Sequence, residues 1–145
     1  MGVGTSTLGY TNNYIDKKVS NVIKKGINTT LNCLEEFQLA KKILKYDNFA
    51  DQVKFARGGG EAMSMAIRLA RASNQRTKIA FSGYHGWHDW YIAANLENKK
   101  NLNNHLQKNL IPLGIPKELK GSTIPFKFND FDQINKIAKS EKLAA

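Results

Sequence analysis

Val53 to His88 reads VKFARGGGEAMSMAIRLARASNQRTKIAFSGYHGWH, and this stretch decides the fold. A short apolar run, Val53 to Ala56, precedes three consecutive glycines, Gly58, Gly59 and Gly60. Helix formers follow from Glu61 to Ala72, and then a second apolar run from Lys78 to Phe81. β-Branched and aromatic residues suit a pleat, whereas Ala, Met, Leu and Arg lose little entropy in a helix, so the order predicts strand, glycine loop, helix, strand. Three glycines in a row contribute no packing and cost backbone entropy. A chain accepts them where the backbone turns with positive φ or comes very close to something.

At the mouth of a helix that something is often an anion, because the free N–H groups of the first turn and the helix dipole both face it. The expectation is a phosphate site, with a plain tight turn as the other reading. Neither GxxxxGK[ST] nor GxGxxG occurs here, which argues against a P-loop or a dinucleotide fold. Glu61, an acid in the first turn, suits the helix dipole better than it suits a bound anion.

Ser82-Gly83-Tyr84-His85-Gly86-Trp87-His88-Asp89-Trp90 comes directly after the second apolar run. Open α/β sheets place ligands at this carboxyl end of a strand. Flat rings between glycines suit a planar ligand, and a phosphate nearby suits a phosphorylated aromatic cofactor.

The runs GGGEAMSMAIRLARA and KIAFSGYHGWHDWYIAANL together resemble the cofactor-binding core of the class III pyridoxal-phosphate-dependent aminotransferases, on the glutamate-1-semialdehyde aminomutase side. The opening GVGTSTLGY resembles the family's glycine-rich segment, so the likeness covers most of residues 2 to 96 and, more loosely, Ile124 to Ala145. The resemblance implies that Gly58, Gly59 and Gly60 stand where the family's Ser-Gly-Thr or Ser-Gly-Ala element gives backbone N–H groups to the cofactor phosphate. It also implies that Tyr84 of Tyr84-His85-Gly86 stacks on the pyridine ring, with His85 as a wall residue. The chain departs from the family at Gly58 and Gly60, where a side-chain bond to phosphate is lost.

By the same resemblance, the lysine that forms the Schiff base and the acid that pairs with the pyridinium nitrogen lie beyond Ala145. No lysine here has that context, so no catalytic residue is expected in this chain. A family segment ahead of GVGTSTLGY is also missing, which implies truncation at both ends and no catalysis by this stretch alone.

The 145 residues, 41% hydrophobic and 23% charged, have an ordinary globular composition large enough for one core. No run approaches the roughly 18 apolar residues of a membrane span, and the start lacks the regions of a signal peptide, so a cytoplasmic, membrane-free protein is expected. The net charge of +10 raises a nucleic-acid-binding domain as the rival reading. The lysines are spread over several segments, which suits a solvated surface, and no nucleic-acid partner is expected. Cys33, a single cysteine beside Leu31 and Leu34, is expected to pack as a small hydrophobe. His85 and His88 with Asp89 form an HxxH pattern, but Gly83 and Gly86 break helical spacing and no third ligand is near in sequence, so no metal site is expected. His88 and His105 are read as core or surface histidines.

Elsewhere, Ile15, Val19, Val22, Ile23 and Ile27 recur at helical spacing, with Asn12 or Asn13 as cap and Gly26 near the stop. Leu34, Phe37, Leu39, Ala40, Ile43 and Leu44 predict a second amphipathic helix ending near Tyr46. The helix after the glycines is apolar on most sides, which predicts burial on more than one face, with Arg68 and Arg71 reaching outward. Residues 97–123 read as a long polar loop, a lid or an interface segment. Ile124 to Phe128 reads as an edge strand, and Asn129 or Asp130 as the cap of a last helix.

The fold expected is α/β, part of the large domain of a fold type I pyridoxal-phosphate transferase, with a parallel-leaning sheet flanked by helices. The partners implied by the resemblance are pyridoxal 5'-phosphate, a small amino donor or acceptor, and a second copy of the whole protein in a homodimer.

Overall fold

Ile79, Ala80 and Phe81 form strand β1 (Ile79–Phe81), whose ends are buried and whose middle residue is half-buried. A computed structural model describes residues 2, 4–27, 30–105 and 108–145, and in it β1 pairs in parallel with β2 (Thr123–Pro125). The register sets Ile79 against Thr123 and Phe81 against Pro125. Parallel strands need a long crossover, and residues 82–122 supply it. The other edge of β1 is covered by the last residues of the chain. The Ala144 N–H donates to the Lys78 carbonyl at 2.7 Å and the Ala80 N–H to the Ala145 carbonyl at 2.9 Å.

Four helices of two turns or more are present among the described residues: α1 (Asn13–Ile23), α2 (Leu34–Tyr46), α3 (Gly59–Asn74) and, after the short α4 (Asp89–Ile92) and α5 (Ala94–Glu97), α6 (Phe131–Ser140). The caps are those the residue types predict. Asn12 Oδ1 accepts the Ile15 N–H at 3.2 Å, and Asp130 Oδ1 accepts the Gln133 N–H at 2.9 Å. Gly26, at φ +94°, closes the turn after α1.

The chain divides into residues 1–54 and 55–145. In the first unit neither α1 nor α2 has a buried residue, and Cys33 is exposed, contrary to the expectation that it packs. It sits in extended backbone at the N-cap of α2, ahead of the helix, with no covered face beside it.

The core belongs to the second unit: Ile67, Ile79, Phe81, Trp90, Tyr91, Ile92, Ala94 and Leu102, with Tyr91 and Leu102 fully buried. Phe81 is its centre, with the rings of Trp90, Tyr91 and His105 at 5.9, 5.2 and 5.5 Å. Such tilted and edge-on pairs add to the area they bury.

Two expectations change. Residues 53–56 form no strand, because a strand exists only where a neighbour completes its ladder and none of the described residues pairs with them. α3 is buried on one face: Ile67 is enclosed while Leu69 is 65% exposed. The long loop 97–123 is braced by the side-chain amides of Asn95, in α5, and Asn101. Asn95 Oδ1 accepts the Leu102 N–H at 3.0 Å, and Asn95 and Asn101 donate to the Leu110 and Ala94 carbonyls, both at 2.8 Å. These amides satisfy backbone groups that no helix or strand would pair.

Candidate functional site

The three glycines lie at and just inside the start of α3 rather than in a loop before it. Gly58 is the N-cap and Gly59 and Gly60 the first helical residues. None has positive φ. Gly58 is at φ −159°, extended backbone that any residue adopts. Close approach therefore accounts for Gly60. A Cβ there would stand 2.8 Å from Cδ2 of His88 and 3.4 Å from the Gly86 Cα. A Cβ on Gly86 would stand 2.7 Å from the Gly60 Cα, nearer than real Cβ atoms come. The first turn of α3 and the aromatic turn after β1 thus meet backbone to backbone. Around Gly58 and Gly59 the space is open.

At that junction the N–H groups of Gly59 and Gly60 have no acceptor within the helix, as holds for the start of any helix. No side chain caps them. Glu61 turns back instead, accepting the Arg57 N–H at 2.9 Å, so its carboxylate supports the helix start. Its Arg57 ion pair, at 3.9 Å and largely exposed, adds little.

The aromatic turn is shaped by Gly83 at φ +87° and Gly86 at φ +95°, left-handed positions that a side chain rarely tolerates. Between them, Tyr84 is half-exposed and meets Tyr91 edge-on at 5.7 Å. His85 faces inward: its Nε2 lies 2.8 Å from the Ser82 carbonyl and its ring leans on Phe81 and Trp90. The HxxH pair therefore diverges, His85 into the core and His88 over Gly60. Among the described residues no three His, Cys, Asp or Glu side chains gather as a metal site would need.

An apolar trough of about 660 Å³ runs between α3 and α6 over β1, lined by Met63, Ile67, Phe81, Ser82, His85 and Trp90 among others. It does not include the glycines or Tyr84. The buried Ser82 Oγ and Trp90 Nε1 have no hydrogen-bond partner. Tyr91 is sealed in the core, where burial first and Tyr84 second push its phenol up to about 12, so it stays a donor. Its hydroxyl donates to the His105 carbonyl at 3.0 Å.

The sequence-derived residues Gly58, Gly59, Gly60, Tyr84 and His85 thus fall in two neighbouring elements, joined through Gly60 and Gly86. Sequence reasoning missed His88 as the cover of Gly60, Gly86 as the contact, and His105 behind the turn. A helical glycine with no need of positive φ was the available signal, since something must occupy the place of its Cβ.

The donor set fits pyridoxal phosphate in kind: unpaired N–H groups at a helix start, a glycine whose Cβ position is taken, and a half-exposed aromatic ring two residues before the Gly86 contact. No protein-family model matches the chain. It is 34% identical to the glutamate-1-semialdehyde 2,1-aminomutase of Sulfurisphaera tokodaii, over 99% of this chain and 34% of that protein. It is 36% identical to the enzyme of that name from Wigglesworthia glossinidia brevipalpis, over 92% of this chain and 31% of that one. A 3-aminobutyryl-CoA aminotransferase of Cloacimonas acidaminovorans is 31% identical over 96% of this chain and 30% of its own length. The fold matches an omega-transaminase from Sphaerobacter thermophilus with a TM-score of 0.75 at 25% identity, covering 94% of this chain and 32% of that one. The chain spans about a third of the length of the curated relatives it matches. In sequence along nearly its whole length, and in fold, it is a class III pyridoxal-phosphate-dependent aminotransferase-like stretch.

Proposed function

We propose that this chain is the phosphate- and ring-binding part of a pyridoxal-phosphate aminotransferase or 2,1-aminomutase that moves an amino group on an amino acid or amino-aldehyde. Gly59 and Gly60 donate backbone N–H groups to the phosphate, with Gly58 leaving the approach open. Tyr84 covers the pyridine ring, and His85 walls the site from the core side. The observation that carries this reading is the backbone contact of Gly60 with Gly86, which brings the helix start and the aromatic turn to one place. When bound, pyridoxal phosphate supplies an electron sink for bonds at the substrate amine carbon. This chain's residues bind and orient it and keep water from one side of the ring. The anchoring lysine, the acid beside the ring nitrogen and the second subunit belong to the whole enzyme, so this stretch alone is inactive. We place the whole protein as a cytoplasmic homodimer acting on small molecules, without nucleic-acid or membrane partners.

Titration of the chain with pyridoxal phosphate, followed by absorbance and by quenching of tryptophan fluorescence, tests the reading. Saturable binding that inorganic phosphate competes away is expected. Tyr84→Ala weakens it about tenfold, roughly 1.4 kcal/mol, while Leu69→Ala on the exposed side of α3 leaves it unchanged. No saturable binding, or binding indifferent to Tyr84, overturns it.

A further inference from the structure

The aromatic turn is gripped from behind by a residue of the asparagine-rich loop. The Gly83 N–H donates to Nδ1 of His105 at 2.9 Å, across 22 positions of sequence. Gly83 begins the left-handed corner that leads directly into Tyr84 and His85. His105 is itself held on three sides. Its N–H donates to the Leu102 carbonyl at 2.9 Å, its own carbonyl accepts from the Tyr91 hydroxyl at 3.0 Å, and its ring lies against Phe81 at 5.5 Å. Leu102 is in turn fixed by the Asn95 amide.

We propose that His105 is a positioning residue: by accepting the Gly83 N–H it sets the angle at which the turn presents Tyr84 beside the start of α3. The proposal rests on the functional reading above only where it concerns the cofactor. An N–H directed at Nδ1 requires a lone pair there, so the ring is the neutral tautomer carrying its proton on Nε2. An imidazolium has no acceptor and cannot make this bond. The titratable groups facing it are His85 from the turn and Tyr91 from α4. Tyr91 stays neutral, and burial above all holds the His105 imidazole below its ordinary value of 6.5.

Side-chain 15N NMR and amide exchange of the intact chain decide the matter. The neutral tautomer with its proton on Nε2 is expected for His105 at pH 7.5. His105→Leu should speed exchange at the Gly83 amide about tenfold while the β1 amides of Ile79 and Ala80 keep their protection. His105→Asn, whose Oδ1 reaches the place of Nδ1, should restore protection at Gly83 and make it independent of pH between 5 and 8. A side chain that only filled space would be replaced as well by Leu as by Asn. A proton on Nδ1, or Gly83 exchange unchanged in His105→Leu, overturns the proposal. If the Leu variant does not fold, the tautomer and the Asn variant decide it. With pyridoxal phosphate added, the Leu variant should bind about tenfold more weakly and the Asn variant like the parent. Failure of the parent to bind would sink the functional reading and leave the exchange result to stand or fall alone.

Discussion

Residues 55–145 and residues 1–54 contain similar proportions of helix, yet among the described residues only the first group has an interior. In 55–145, Phe81, Tyr91 and Leu102 are enclosed, and hydrogen bonds such as Gly83 to His105 and Ala80 to Ala145 tie together distant parts of the sequence. In 1–54, α1 and α2 carry apolar stripes that no other described residues of that unit enclose, and the supports seen among those residues are local: a cap at Asn12, acids in the first turn of α2, and Lys41 over the Phe37 ring at 4.5 Å. Helices of 11 and 13 residues are marginal without tertiary packing. Amphipathic pattern sets which face could be buried; burial itself needs something to cover it.

The sharpest break between the two regions is at their aromatic residues. Tyr91→Ala empties the centre of the core and should cost about 3–5 kcal/mol in urea unfolding. Phe37→Ala, on an exposed stripe, should cost within about 0.5 kcal/mol in the same measurement.

Next come the glycines where the two halves of the site meet. Gly86→Ala sets a Cβ against the Gly60 backbone at positive φ and should lower stability by about 2–3 kcal/mol. Gly60→Ala meets mainly the His88 ring, which can swing aside, and should cost about 1 kcal/mol. Gly59→Ala, in open space within a helix, should stabilise by up to about 1 kcal/mol. Thermal unfolding of the three variants should rank them in that order.

A smaller effect separates the regions by pH. Burial lowers the His105 value from 6.5, so in the window below 6.5 the unfolded chain binds more protons than the folded one. Its contribution is complete above 6.5 and falls away as pH drops toward the folded value. The urea midpoint should therefore fall between pH 7 and 5, and fall less in His105→Asn. The most local effect is at the α1 cap, where Asn12→Ala should remove about 1 kcal/mol of helix stability and show as faster amide exchange confined to residues 13–16.

Much of this arrangement was legible locally. Asn12 and Asp130 cap the helices their neighbours predict, and the apolar run at Lys78 to Phe81 contains strand β1. The pairing of residues 143–145 along β1 was not, because Leu-Ala-Ala carries no periodic signal and the Lys78 to Glu141 ion pair beside it joins residues 63 positions apart. Nor did Asn95, Asn101 and Asn103 announce themselves as braces, since an asparagine reads as a loop former until its amide finds a backbone partner.

What Val53 to His88 determined by itself was a helix after the glycines, the strand that follows it and the kinship with aminotransferases, because propensity and motif act over a few neighbouring residues. Only the tertiary structure decided that Gly60 touches Gly86, that His85 turns inward while Tyr84 stays half-exposed, and that His105 holds the turn between them. Those outcomes depend on which distant groups fill the space left by an absent Cβ or satisfy a buried N–H, and that is settled by packing.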